Sequence, residues 1–309
     1  MMRAFLAIML ALTAGAFAQT SIHLKDGRIV PAKALRRDKD TIIATLEIPA
    51  AEQGGKPTSG DFGFALSDIF KLDFPKPGVL DSGIELIADG KAEEALTKLE
   101  APLKYYVGFR DAPGSWWTDL VPLQVEALLA LRRDKEAGEV ADSFSRLVTD
   151  PEVKKFMKAF AAVGLTRKGD HTGALPLFDE AALTTERPDI LGLIAVNKGE
   201  SLVALADALA EKGEPEKAAV RYEQALLSFL RVPALYRTQR MFMPQATYGA
   251  AQAYLGMKDF VRARLSVKEL TTSYAATPEG KAAADLAAKI EKRAALLAET
   301  TTEKKPEKK

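Results

Sequence analysis

The chain contains no cysteine and only two histidines, His23 and His171. The first absence excludes disulfides, cysteine nucleophiles, thiolate-bound metals and a lipid-modified N-terminal cysteine. The second leaves too few imidazoles to assemble a histidine-based metal cluster. A surplus of one charge is missing as well: 43 Lys plus Arg stand against 42 Asp plus Glu, a formal net charge of +1. No global basic excess therefore draws the chain to nucleic acid or anionic lipid. Beyond residue 18 no stretch is apolar enough to cross a bilayer, which takes about 20 apolar residues in a helix. Gly54-Gly55-Lys56 lacks the Gly-x4-Gly-Lys-Ser/Thr frame of a phosphate loop. What remains is a chain of 309 residues, 47% of them apolar, ample for one or two packed domains.

The first residues decide what belongs to the folded protein. Met1-Met2-Arg3 forms a short positive head, and Ala4 to Ala18 is uncharged and rich in Leu, Ile, Met, Phe and Ala. The run closes on Ala16-Phe17-Ala18, the small-x-small pattern of a signal-peptidase site. Residues 1–18 are thus expected to be a signal peptide, and the mature chain to begin at Gln19 in the periplasm or outside the cell. An uncleaved anchor or a buried core helix is the alternative, and the shortness of the run weighs against an anchor.

Residues 19–75 carry strand signals. Ser21 to Leu24 and Arg28 to Val30 flank Lys25-Asp26-Gly27, a hairpin signature. Thr41 to Ile48 is rich in β-branched residues and follows a polar turn expected at Arg36 to Asp40. Gln53 to Gly60 has loop composition, and Phe62 to Leu66 and Ile69 to Phe74 alternate again. Four or five short strands, curled into a small sheet or barrel, are expected.

From Pro75 the period becomes helical and the chain repeats itself. Five segments share a helix, a tight turn with Gly or Asp, and a second helix. Aligned on Ala95, Ala137, Ala174, Ala218 and Ala263, they carry Gly83, Val125, Ala162, Ala206 and Ala251 twelve residues upstream. Nine residues upstream lie Leu86, Leu128, Leu165, Leu209 and Tyr254, and four downstream Leu99, Ala141, Phe178, Tyr222 and Val267. Antiparallel helices approach closely only where small side chains face each other, with large apolar residues filling the space above and below.

This arrangement resembles the tetratricopeptide repeat (TPR) over roughly residues 78–278, best where Ala174, Phe178 and Ala181 and then Ala218, Tyr222 and Ala225 follow the pattern. The resemblance implies a mainly α fold: a TPR-like α-solenoid of about five helix pairs over residues 76–299, closed by a capping helix from Glu279 to Glu299. Residues 300–309 are expected to be a disordered charged tail. The turn alanines are 42, 37, 44 and 45 residues apart, longer than the roughly 34-residue family unit. The excess is expected as insertions around Asp111 to Trp117 and Val232 to Pro244. The closing unit, Glu269 to Tyr274 with Thr277 to Ala282, is similar to repeat endings of envelope proteins that assist outer-membrane assembly or coordinate the Tol-Pal machinery.

Chemistry-bearing constellations are few. His171 beside Asp170 reads as a solvated turn pair and His23 as the outward face of a strand. Glu93-Glu94, Glu214 with Glu216 and Asp38 with Asp40 sit at helix starts or turns, where acids suit the helix N-terminus. No catalytic, cofactor-binding or metal-ligating residue is assigned. If the TPR geometry holds, Asp119, Glu126, Arg167, Glu200, Asp207, Tyr248 and Gln252 point outward from first helices along a concave face. Their acidic lean suits a peptide carrying positive charge. Trp116-Trp117 and the segment Arg231 to Pro244, with Arg237, Arg240 and Phe242, are loop candidates for contact, because Arg, aromatics and Met are enriched at interfaces. One tryptophan ring is expected to be buried. The function expected is an exported scaffold or adaptor binding envelope proteins or their peptide segments, without nucleic acid or cofactor. A carboxylate-dependent hydrolase of envelope polymers and a self-associating subunit are the alternatives.

Overall fold

The computed structural model describes residues 20–50, 56–148, 151–154 and 157–303. The expected signal peptide, the start of the 53–60 loop and residues 304–309 lie outside the described residues. The structure is mainly helical with a small N-terminal β region, and it divides into two compact units.

The described residues up to 76, with 112–115, form the first unit. Its strands are β1 (Thr20–Leu24), β2 (Ile29–Ala32), β3 (Ala34–Asp38), β4 (Thr41–Ile48), β5 (Thr58–Ala65) and β6 (Ile69–Asp73). They make two antiparallel three-stranded sheets, ordered β2-β1-β6 and β3-β4-β5. The Asp26-Gly27 turn joins β1 to β2 as expected, with Gly27 at φ +89° and Ile22 opposite Val30. Alternation buries Ile22, Leu24, Leu35, Ile42, Ala44 and Leu72. Two boundaries differ from expectation. Arg36 to Asp38 belong to β3 rather than to a turn, because Leu35 anchors the strand inward and Arg36 reaches Asp61 across the sheet at 3.3 Å. Thr58 to Gly60 belong to β5, completing the register against Leu46 to Ile48.

The second unit, the described residues of 77–111 and from 116 onward, is helical. Its helices are α1 (Val79–Ala88), α2 (Ala92–Tyr106), α3 (Trp117–Ala130), α4 (Asp134–Leu147), a short α5 (Pro151–Lys154), α6 (Met157–Arg167) and α7 (His171–Thr184). They continue with α8 (Pro188–Glu211), α9 (Pro215–Leu235), α10 (Met243–Gly256), α11 (Phe260–Ser273) and α12 (Pro278–Glu303). The five expected pairs are α1/α2, α3/α4, α6/α7, α8/α9 and α10/α11. Each helix of this set packs on its successor, and α1, α6, α8 and α10 also touch α3, α8, α10 and α12 respectively. Ala95, Ala137, Ala174 and Ala263 are fully buried, as are Val125, Ala162, Ala206 and Ala251 twelve residues before the last four turn alanines.

The repetition extends to the hydrogen bonds of the turns. The second residue past each first helix has a left-handed backbone: Gly90, Arg132, Gly169, Gly213 and Lys258. The next residue donates its N–H to the carbonyl of Leu86, Leu128, Leu165, Leu209 or Tyr254, at 2.8–3.0 Å. These acceptors are the large apolar residues of the sequence repeat, so one position both packs and closes the helix end, the Schellman arrangement. Each turn alanine then donates to the residue four before it, opening the second helix. In two turns an aspartate adds a side-chain cap, Asp170 to the Gly173 N–H and Asp259 to the Arg262 N–H.

Long spacings come largely from long helices: α8 has 24 residues and α9 has 21. Helix α9 runs through Val232 and Pro233 to Leu235, so the expected insertion shrinks to a short link with a 3₁₀ turn at Arg240–Phe242. Residues 300–303, expected in the tail, continue α12, since nothing before Pro306 breaks a helix. The first two pairs also meet the later part of this unit. Arg240 pairs with Glu85, Arg132 donates to Glu279 at 3.1 Å, and Gly90 lies against the backbone of Ala276 and Thr277.

Candidate functional site

The first helices bring most of the expected concave-face residues together, but with much of their charge already engaged. Arg167, in the last turn of α6, is the hub. One of its Nη atoms donates to Asn197 Oδ1 at 2.5 Å and to Glu200 Oε2 at 2.6 Å, both on α8, and the other faces Asp134 of α4 at 3.5 Å. A single guanidinium thus ties three successive helix pairs together, which a five-donor planar fork does better than an ammonium. Asp119 of α3 meets Arg187 at 2.8 Å, while Arg187 also binds Asp189 in the first turn of α8.

Glu126 corrects the outward assignment. It is 2% exposed in the middle of α3, and its Oε1 has no hydrogen-bond partner. Burial pushes its carboxyl up to about 8; Arg167 pulls the other way, and Glu200 and Asp189 add to the rise. The helical phase places Glu126 on the inner side of α3, but neighbouring first helices approach closely enough to remove it from solvent. A lysine there would set an ammonium in a closed site beside Arg167, so its effect would be on folding rather than on capture of a partner. Arg167 and Asp119 are likewise only partly exposed.

The remaining four expected residues converge. Glu200, Asp207, Tyr248 and Gln252 line one cavity of about 450 Å³, together with Arg132, Gln245 and Glu279. Glu279 is 3% exposed, and burial lifts its carboxyl above the usual range against the pull of Arg132. Asp207 accepts the Tyr222 hydroxyl from α9. Burial raises the Tyr248 phenol. Gln245 Oε1 is buried in the wall of this cavity without a hydrogen-bond partner. Glu200, Asp207 and Glu279 stand here against Arg132, with Glu200 also paired to Arg167 and Asp207 to the Tyr222 hydroxyl, so the cavity leans acidic.

No protein-family model matches the sequence, and no curated protein matches it. The site therefore rests on its own geometry.

The loop candidates divide. Trp117 is 5% exposed and starts an aromatic chain, 5.2 Å from Phe144, whose ring stands 4.8 Å from Phe160. Trp116 is half-buried. Phe242, expected at a contact surface, is fully buried, and its ring fills the space beside Gly192 of α8. Met241 is buried too. The 3₁₀ turn carrying them touches α1, α8 and α10, so apolar burial decides their place and the segment acts as an internal plug. Arg237 and Arg240 are exposed and line a polar cavity of about 680 Å³ with Asp89, Lys91 and Tyr274.

His171 is less solvated than a turn pair would be. Its Nδ1 lies 3.4 Å from Ser201 Oγ, and burial lowers its pKa, with Arg167 adding to the shift. Ser201 is fully buried and pairs with Thr166 at 3.0 Å, so this contact joins α6, α7 and α8. His23 stands 4.0 Å from Asp73 across β1 and β6. Among the described residues no group of three or more His, Asp or Glu side chains could hold a metal ion, and no helix is long and apolar enough to cross a membrane. Sequence reasoning missed Gln245, Arg132 and Glu279. Gln245 lies three residues before Tyr248 on the same helix face, a spacing that would have found it.

Proposed function

We propose that the chain is an exported TPR-type scaffold that binds a positively charged segment of an envelope protein in the cavity between α8, α10 and the start of α12. The convergence of Glu200, Asp207, Tyr248 and Gln252 on that one cavity carries the reading. The surplus of carboxylate over guanidinium selects a cationic group, while Gln245 and Gln252 offer side-chain amides matched to a peptide backbone. Five turns with one hydrogen-bond pattern support the repeat assignment, and Ala16-Phe17-Ala18 supports export.

Crosslinking in intact cells followed by affinity purification tests the reading. Recovery of one stoichiometric partner is expected, with Asp207→Lys and Gln245→Leu each weakening capture about tenfold, equivalent to about 1.4 kcal/mol. Self-crosslinks alone would favour a self-associating subunit. No partner, together with measurable glycan or peptide turnover, would sink the binding reading.

A further inference from the structure

A second cavity lies apart from the acidic one and has the opposite character. Its volume is about 600 Å³, within the range of small-molecule sites. It opens between the α8/α9 turn, the α10/α11 turn and the last third of α12. Met257, Phe260, Leu296 and Leu297 form apolar walls, and the small Ala218 and Ala219 leave room on the α9 side. Met257, Leu296 and Leu297 are 38%, 52% and 40% exposed, so apolar surface is presented here rather than sealed.

The polar groups at this cavity have one sign. Lys258 and Arg293 line it, and none of the described residues lining it carries a carboxylate. Asp259, beside Lys258 in the chain, is already bound to Arg262, its side chain accepting from both the Arg262 N–H and the guanidinium. Arg293 sits beside the Tyr222 phenol, whose hydroxyl donates to Asp207 outside the cavity lining and whose ring packs on Gly256. Apolar walls with two cations at the edge complement a molecule that is apolar along its length and anionic at one end. The chain's own last residues do not fit this description, since Lys304 to Lys309 consists of lysines, one proline and one glutamate.

We propose that this cavity binds a monocarboxylate with an unbranched apolar tail, the tail against Phe260, Leu296 and Leu297 and the carboxylate between Lys258 and Arg293. Decanoate, used below its micelle threshold, is the probe, titrated calorimetrically into the mature chain. Saturable one-to-one binding is expected, with decanol and decyltrimethylammonium at least about tenfold weaker. The Lys258→Gln/Arg293→Gln double variant should lose about tenfold in affinity. Ala219→Phe, on an exposed position, should block the site and keeps the test decisive if the double variant fails to fold; a circular-dichroism melt establishes folding for each. Equal binding of decanol, absence of saturation, or undiminished binding by Ala219→Phe would overturn the proposal. So would binding of a leucine-terminated peptide, or concentration-dependent dimerisation, in the absence of any decanoate binding.

Discussion

Replacing Gly90 by alanine separates the contact between the α1/α2 turn and the stretch before α12 from every other role of that turn. Gly90, Gly169 and Gly213 hold the same place in three of the five turns, at φ +74°, +83° and +77°. A side chain forced into the left-handed region costs about 1–2 kcal/mol, so all three alanine variants share that loss. The surroundings differ. A Cβ at Gly169 or Gly213 meets nothing within 4 Å, whereas at Gly90 it falls 2.6 Å from the Ala276 carbonyl oxygen and 3.0 Å from the Thr277 nitrogen. Both neighbours are backbone, which yields only by displacing the segment ahead of α12. Overpacking of this kind costs about 1–3 kcal/mol, and that is the expected excess of Gly90→Ala over the other two. Urea unfolding followed by circular dichroism reads it as a lower midpoint at unchanged slope. Hydrogen exchange at the Thr277 N–H, bonded to Tyr274 O at 3.0 Å, should accelerate in Gly90→Ala alone. Three variants of equal stability would refute the contact between the α1/α2 turn and the stretch before α12.

Glu126→Gln should change how stability depends on pH. Burial raises the carboxyl to about 8 from its ordinary value of 4.5. Its contribution is therefore complete below the unfolded pKa and is lost as pH rises toward the folded value, at about 1.4 kcal/mol for each pH unit between them. The variant stays neutral, so it should match the parent near pH 4 and exceed it near pH 8.5 in urea midpoint; a gap independent of pH would contradict the assignment. Phe242→Ala should cost about 3–5 kcal/mol, as for other fully buried phenylalanines. A loss within about 0.5 kcal/mol would return the Arg240–Phe242 turn to the surface.

The repeat was legible because it is written in side-chain volume. Close packing of two helices demands small residues at fixed spacing, and Ala174, Phe178 and Ala181 satisfy it in the sequence as they do in the fold, where all three are fully buried. The strands were legible for a similar reason, since alternation and Asp26-Gly27 are local signals. Exposure along the first helices was not. Helical phase puts Glu126 and Glu200 on one side, but only the packing around α3 decides that Glu126 is closed in while Glu200 reaches the cavity. Arg167 could be placed on that side, yet its bonds to Asn197 and Glu200 span some 30 residues of sequence. In the last turn Lys258 rather than a glycine takes the left-handed conformation, while Gly256 gives the Tyr222 ring its room.

The meeting of Gly90 with Ala276 also bears on when the fold can be finished. In an ordinary row of repeats each unit needs only its neighbours, so folding can follow synthesis or translocation from the first unit onward. Here the first pair and the stretch before α12 are partners, with Arg132 and Glu279 adding a second tie 147 residues apart. A chain emerging N-terminus first therefore holds its earliest helices without their last contacts until nearly all of it has appeared. Contacts this distant are slow to form because the loop must close first. Disturbing the stretch before α12 should thus be felt at the opposite end of the sequence as well, in the α1/α2 turn.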